Sequence, residues 1–367
     1  MNTSLTERKK VLLTVNNSRV SGIEMFTFLL AKYIDKSKYG VTVAIPTPGQ
    51  LGDLLEKNDI EYFVFNNKKN EGYNVNGIID LFFNIKKNKY DIIHAQAGVA
   101  PCLIGKIVGT KLILEHRHGL DFTIEQINKM NLYRLTYEKL KKYLVDLTLT
   151  GCKSDKDILV KRFKFLPERV EVVYNGLESN KNISIKKTDG NFIIGTIGRL
   201  TYQKNQEYFI EMAKKLCCYK NNFEFHIYGE GEKHNDYSNL IEKYNLREKV
   251  FLKGYTTEVS KVMRTFNLFV LTSRYEGIPY VILEAMKAGV PVISTDVGGI
   301  NEIIINMENG ILVQKENATE LIEKVKLLYH SKEIRDRLSK KAEKDFEENY
   351  TIKKTVSAVE EIYAKII

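Results

Sequence analysis

The sequence predicts an α/β protein built from two doubly wound domains, each with a parallel sheet. Three observations carry this. The 367 residues exceed the roughly 100–200 residues of one typical domain. Short runs of β-branched and aliphatic residues alternate with longer amphipathic segments, the pattern of βα units around a parallel sheet. That alternation stops at a polar stretch, 180–191, and then begins again.

In the first half, strands are expected at Val11–Val15, Val41–Ile45, Tyr62–Phe65, Asp91–His94, Lys111–Glu115, Leu147–Leu149 and Val170–Val173. Helical patterns such as Glu24–Ile34 and Asn131–Leu144 lie between them. The second half offers Phe192–Ile197, Glu224–Tyr228, Val250–Lys253, Leu268–Leu271, Pro291–Ser294 and Gly310–Val313. Lys186–Gly190 is the best linker, being polar and ending in a glycine. The expected division is therefore 1–187 and 188–349. A C-terminal helix over 350–367 carries Val356, Val359, Ile362, Tyr363 and Ile366 at helical spacing and can pack on either half.

Composition narrows the functional classes. With 43% hydrophobic residues the chain is neither disordered nor fibrous. Four cysteines without a C-x-x-C pair suggest neither a disulfide framework nor a zinc knuckle. No apolar run approaches the ~18–20 residues that span a bilayer, so the expected location is the cytoplasm. The net charge of +10 leaves nucleic acid, an anionic membrane face or a phosphorylated substrate as partners. Residues 1–187 hold 30 basic against 20 acidic side chains, which is the entire excess, and the remainder is balanced. The two halves therefore face different partners.

The densest constellation is SRYEGIPYVILEAMKAGVPVIST, residues 273–295. A strand ends near Thr272, a turn carries Glu276 and Gly277, and Pro279 stands where a helix begins. The amides at such a start attract anions and suit a diphosphate. A second segment, Gly195 to Leu200 followed by Lys204-Asn205, sets Arg199 and Lys204 after a strand and a glycine turn, where both can neutralise phosphate charge. Ser18–Glu24 follows the first strand, and Gly22 there permits close approach of backbone to a phosphate. His94, His116 and His118 cluster near strand ends, the last two flanking Arg117. Such histidines can donate to a sugar hydroxyl or accept a proton.

Glu276 and Glu284 form an E-x7-E pair. Together with Gly277, Glu284-Ala285-Met286, Gly289–Val292 and Gly298-Gly299, this pair resembles the signature of family-4 retaining glycosyltransferases of the GT-B fold, over nearly the whole chain. Ile278-Pro279 departs from the commoner Phe-Gly, and Ser21 replaces the first glycine of the family's N-terminal turn. The resemblance implies two Rossmann-like domains facing a cleft and a nucleotide-sugar donor held by the second; the C-terminal helix can cross back to the first domain. It assigns Glu276 to the transferred sugar, Glu284 to the ribose, and Arg199 and Lys204 to the diphosphate. Gly22, Gly198, Gly229, Gly277, Ile278, Pro279 and Tyr280 complete the donor site. His118 is favoured as the functional histidine, with His116 second, and His94, His116 and Arg117 are the acceptor-side candidates.

No metal or other cofactor is expected, and UDP-sugars are favoured over GDP-sugars. The acceptor would be a glycan or a lipid-diphosphate-linked chain in capsule or exopolysaccharide assembly. The helical segment Asn131–Leu144 sets Leu132, Leu135, Leu140, Tyr143 and Leu144 against Arg134, Lys139, Lys141 and Lys142, and can lie on anionic lipid or pack on the sheet. Peripheral association with the inner face of the cytoplasmic membrane is the reading that the charged first half favours.

Gly229-Glu230-Gly231 is too short for a dinucleotide fingerprint. Asp155-Lys156-Asp157 matches a metal pattern by letters, but capping after Ser154 explains it better. Competing classes are a nucleotide-sugar epimerase or hydrolase on the same fold and, more remotely, a basic nucleic-acid-binding protein, for which no module is visible.

Overall fold

The computed structural model describes residues 8–65, 73–120, 124–179 and 190–367. They form two compact units, Met1–Gly176 with Ile352–Ile367, and Leu177–Thr351.

Seven strands make the first sheet: β1 (Lys9–Thr14), β2 (Tyr39–Ile45), β3 (Glu61–Val64), β4 (Ile92–Ala95), β5 (Leu112–Arg117), β6 (Leu147–Thr150) and β7 (Val170–Val172). Their order is β3-β2-β1-β4-β5-β6-β7, and every pairing is parallel. Strands β1, β4, β5 and β6 are almost wholly buried, as expected where helices cover both faces of a parallel sheet. The strand order reverses beside β1, where β4 pairs Leu13 with His94 and Thr14 with Ala95. In open α/β sheets, ligands bind outside the carboxyl ends of the strands at such a reversal.

The second sheet repeats the plan with β8 (Phe192–Ile197), β9 (Phe223–Tyr228), β10 (Val250–Gly254), β11 (Leu268–Leu271), β12 (Val292–Thr295) and β13 (Ile311–Val313). Its order is β10-β9-β8-β11-β12-β13, so the reversal falls between β8 and β11. A continuous core including Phe209, Phe223, Phe225, Leu268 and Val325 joins this sheet to its helices.

The units divide ahead of the expected boundary at residue 187. After β7 the backbone of Leu177 already bridges Thr351, and its N–H donates to Tyr350 O at 3.0 Å. The expected linker segment 186–189 lies outside the described residues. The C-terminal helix begins at Ile352 rather than 350 and belongs to the first unit. Ile352, Val356, Val359, Ile362 and Tyr363 bury its apolar stripe, which packs on the helix Gly22–Tyr33. Glu360 accepts a 2.6 Å bond from the Asp35 N–H, and the Thr355 hydroxyl donates to Tyr174 O at 2.9 Å.

Two expected helix starts shift. The helix over 153–163 takes Cys152 as its N-cap, so Ser154 lies inside the first turn instead of capping it. The helix foreseen at Asn131–Leu144 spans Leu132–Lys141, with the Asn131 side chain accepting from the Arg134 N–H at 2.8 Å. Its outer residues do not pack on the sheet: Leu132 and Tyr133 are 78% and 82% exposed. Among the described residues, no helix is long and apolar enough to cross a membrane.

Candidate functional site

In the second unit the residues singled out by pattern meet at the carboxyl ends of β8 and β11. The β8 strand runs into Gly198, whose N–H donates to Tyr228 O at 2.9 Å. The loop that follows is stitched to the turn after β11 in several places. The Arg274 N–H donates to Gln203 O at 2.8 Å, the Gln203 amide to Tyr275 O at 3.1 Å, and the Thr272 hydroxyl to Asn205 O at 2.9 Å. This bracing delivers the Lys204 ammonium to Glu276 Oε1 at 2.6 Å. Its aliphatic stem passes so close to Gly198 that a Cβ there would meet it at 3.4 Å.

Ser273 donates to the same oxygen, Glu276 Oε1, at 2.6 Å. The Glu276 and Lys204 side chains are 6% and 14% exposed, so both groups are held in one geometry by opposite charge and low solvent access. Gly298 has φ +56°, and a Cβ there would collide with the Glu276 carbonyl oxygen. The loop after β12 can therefore close on the Glu276 turn only because it carries glycine at this point.

Gly277, Ile278 and Pro279 are buried as they lead into the helix Tyr280–Lys287, with Pro279 as its N-cap. No side chain caps that start, which leaves its first amides oriented for an anion. Glu284 lies one turn inside. The Ser260 hydroxyl donates to its Oε2 at 2.6 Å, and Lys287 approaches the same oxygen at 3.7 Å. Arg199 is exposed beside Gly198. Gly229 takes φ +141°, where a Cβ would strike the Gly198 carbonyl.

In the first unit, the carboxyl ends of β4 and β5 assemble three imidazoles. His94 and His116 stack with centroids 5.5 Å apart and planes 7° apart, and His116 and His118 stack at 4.1 Å and 18°. Phe26, from the helix Gly22–Tyr33, meets His116 and His118 edge-on at 4.6 and 4.7 Å. The Tyr363 hydroxyl lies 2.7 Å from His94 Nδ1, and His118 Nε2 donates to Gln96 Oε1 at 2.7 Å. Burial, reinforced by His118, lowers His94 to about 3. Burial takes His118 to about 3 as well, and His116 well below its ordinary value. The stack is neutral at physiological pH.

Gly22 opens its helix on an exposed turn, where Glu24 accepts from both the N–H and the hydroxyl of Ser21, at 3.1 and 2.5 Å. Arg117 corrects an expectation. Placed on the acceptor side by its position between two histidines, it points to the opposite side of β5 from them, as strand alternation requires. There its Nε and one terminal nitrogen bind Glu115 and Glu138 at 2.9 and 3.0 Å, with only 7% of the side chain exposed. Lys141 completes the network, 3.1 Å from Glu138. Arg117 thus fastens the helix Leu132–Lys141 to the sheet.

Pattern reading missed Ser260 and Gln96, and gave Ser273 no role although it opens the singled-out segment. The two serines hydrogen-bond the two glutamates, and Gln96 follows β4 with no motif around it. No group of three or more metal-ligating side chains is found among the described residues.

Comparison with known proteins agrees with this architecture. Residues 20–181 match the model of Glycosyltransferase Family 4, and residues 178–345 that of Glycosyl transferases group 1. The chain belongs to this class of glycosyltransferases, with two Rossmann-like domains of the GT-B type.

It is 25% identical over 372 residues to the Escherichia coli UDP-Gal:alpha-D-GlcNAc-diphosphoundecaprenol alpha-1,3-galactosyltransferase, covering 95% of each chain. A Campylobacter jejuni N-acetylgalactosaminyltransferase, named for a diphospho-undecaprenol-linked substrate, is 29% identical over 59% of this chain and 58% of its own. The crystal structure of Anabaena HepE with UDP-glucose superposes with a TM-score of 0.82 at 20% identity, covering 97% of this chain and 99% of that one.

Proposed function

We propose that this glycosyltransferase is a retaining hexosyltransferase that moves a sugar from a UDP-linked donor to a glycan or lipid-diphosphate-linked acceptor in surface polysaccharide assembly. The observation that carries this reading is the convergence of Lys204, Ser273 and Glu276 at the carboxyl ends of β8 and β11, beside an uncapped helix start. Arg199, Lys204 and the amides of the helix start from Tyr280 onward take up charge as the diphosphate leaves, so that no metal is needed for this step. Glu276 and His118 orient the sugar, and Glu284 holds the ribose. Retention follows from attack on the face that the diphosphate leaves, assisted by that diphosphate. The relatives named for UDP-galactose and diphosphoundecaprenol substrates, and HepE bound to UDP-glucose, support the donor and acceptor classes.

The test is incubation with a panel of UDP- and GDP-sugars, with and without a lipid-diphosphate-linked acceptor, followed by proton NMR of the product's anomeric centre. Acceptor-dependent transfer with an α-configured product from an α-linked donor supports the proposal. Equal donor consumption without acceptor would identify a hydrolase, and an isomerised donor an epimerase. Glu284→Ala is expected to raise the donor KM about tenfold or more, the scale of a lost bond to a charged group, while kcat falls less. A selective loss of kcat would remove the ribose assignment.

The acceptor side of the proposal includes an anionic membrane. Strands β3, β4 and β5 advance in one direction across the sheet, so right-handed crossovers set the helices Val75–Asn88, Ala100–Val108 and Leu132–Lys141 on one face. That face exposes Val75, Phe83, Ile107, Leu132, Tyr133 and Tyr143, the first five at 64–82%. Lys86, Lys87 and Lys106 stand exposed among them. Apolar and aromatic side chains with flanking lysines suit the interface of an anionic bilayer. Sedimentation with phosphatidylglycerol vesicles, but not phosphatidylcholine vesicles, is expected, with binding weakened by salt and by Phe83→Ser with Ile107→Ser. Indifference to lipid charge would refute this surface.

A further inference from the structure

The imidazole stack leaves buried polar atoms unmatched. Gln96 is 2% exposed. Its carbonyl oxygen is engaged by His118, while its amide nitrogen has no hydrogen-bond partner among the described residues. His118 Nδ1 and both ring nitrogens of His116 share that condition. Enclosed polar atoms are normally paired. A cluster of exceptions at the carboxyl ends of β4 and β5, beside the strand-order reversal, has the chemistry of a pocket completed by a ligand's hydroxyl groups.

A carbonyl oxygen can only accept, so the 2.7 Å contact from Gln96 Oε1 requires the hydrogen of His118 to sit on Nε2. Nδ1 then carries a lone pair. A half-turn of the ring would keep its plane and its stack on His116 but would put Cε1 in place of Nε2 and lose the bond to Gln96.

We propose that Gln96 is a positioning residue for sugar transfer, holding His118 in the Nε2-protonated form so that Nδ1 accepts a hydrogen bond from a sugar hydroxyl. The proposal rests on the assignment of His118 to the transfer site. The groups that face His118 are all uncharged. His116 stacks from β5 with His94 of β4 behind it, Tyr363 of the C-terminal helix caps His94, Phe26 comes from the helix Gly22–Tyr33, and Asn175 is the remaining polar neighbour. With no cation or anion against the ring, its tautomer is set by neutral partners: Gln96, which makes the 2.7 Å bond at Nε2, and the Asn175 side chain.

Gln96→Glu supplies the contrast. A carboxylate at that position favours the imidazolium and brings its ionisation toward neutral pH. The wild-type kcat is expected to be flat between about pH 5.5 and 8.5 as far as His118 is concerned. The Gln96→Glu kcat is expected to fall as pH drops through the new ionisation, because the protonated ring no longer accepts. Gln96→Met keeps the volume, removes the carbonyl, and is expected to lower kcat about 10- to 100-fold, the range for partners that orient an active group, with little change in donor KM.

Nitrogen-15 NMR of the imidazoles reads the tautomer without any turnover. Wild type should show His118 protonated at Nε2, and Gln96→Met should lose that preference. A Gln96→Glu pH profile that superimposes on wild type, or an unchanged His118 tautomer in Gln96→Met, would overturn the proposal. Wild-type transfer by His118→Ala would instead remove the role of His118, an outcome distinguishable because the tautomer measurement does not depend on activity. If Gln96→Glu fails to fold, Gln96→Met carries the test alone.

Discussion

Lys204→Ala is expected to lower the turnover of sugar transfer by about 10²–10³-fold, the usual consequence of removing one group aimed at developing negative charge. The ammonium is already in place, 2.6 Å from Glu276 Oε1 and braced by the stitched loops after β8 and β11, so little reorganisation accompanies its engagement with a diphosphate. Removing it also leaves Glu276, whose side chain is 6% exposed, with Ser273 as the remaining partner of that oxygen among those described above. On the proposed roles, the substitution acts on the diphosphate and on the sugar-orienting carboxylate together. Steady-state kinetics on donor and acceptor, with a thermal melt alongside, separate lost chemistry from lost folding. A folded Lys204→Ala enzyme with near wild-type kcat would show that the diphosphate is held elsewhere.

The largest effect on stability is expected from Arg117→Ala. Removing one member of a buried ion pair costs about 3–5 kcal/mol because the partner charge is left enclosed. Here two carboxylates, Glu115 and Glu138, lose their shared guanidinium, and among the described residues Lys141 remains as the cation beside them. The guanidinium also lies 5.4 Å from the Phe165 ring centroid, a contact that the substitution removes. A drop in melting temperature on the order of 10 °C follows for a domain of this size, measured by circular dichroism or calorimetry. A melt within about 2 °C of wild type would mean that the network is already solvated.

Strand positions could be read from the sequence because buried parallel strands are short, uniformly apolar and bounded by turns, as in β4 and β11. The paired glutamates and the Arg-Lys segment were equally visible, since each lies on one continuous stretch. What could not be read was whatever depends on two distant segments meeting. Arg117 sits between two histidines in sequence, yet β alternation turns it away from them toward Glu138, on a helix some twenty residues further on. Gln96 acquires its meaning only when β4 and β5 become neighbours. Ser260 lies on a different helix from the Glu284 that it supports. The boundary at Gly176 depends on Leu177 pairing with Thr351, a contact that local composition does not announce.

The C-terminal helix has a consequence for synthesis. Because Ile352–Ile366 belongs to the first unit, the second unit is an insertion within the first, and its whole length emerges from the ribosome before the first is complete. Until then the helix Gly22–Tyr33 lacks its cover and His94 lacks the Tyr363 hydroxyl. Domains commonly fold in the order in which they are made. Here the order is inverted: the second unit can finish first, and the imidazole stack gains the Tyr363 hydroxyl only when translation has passed that residue.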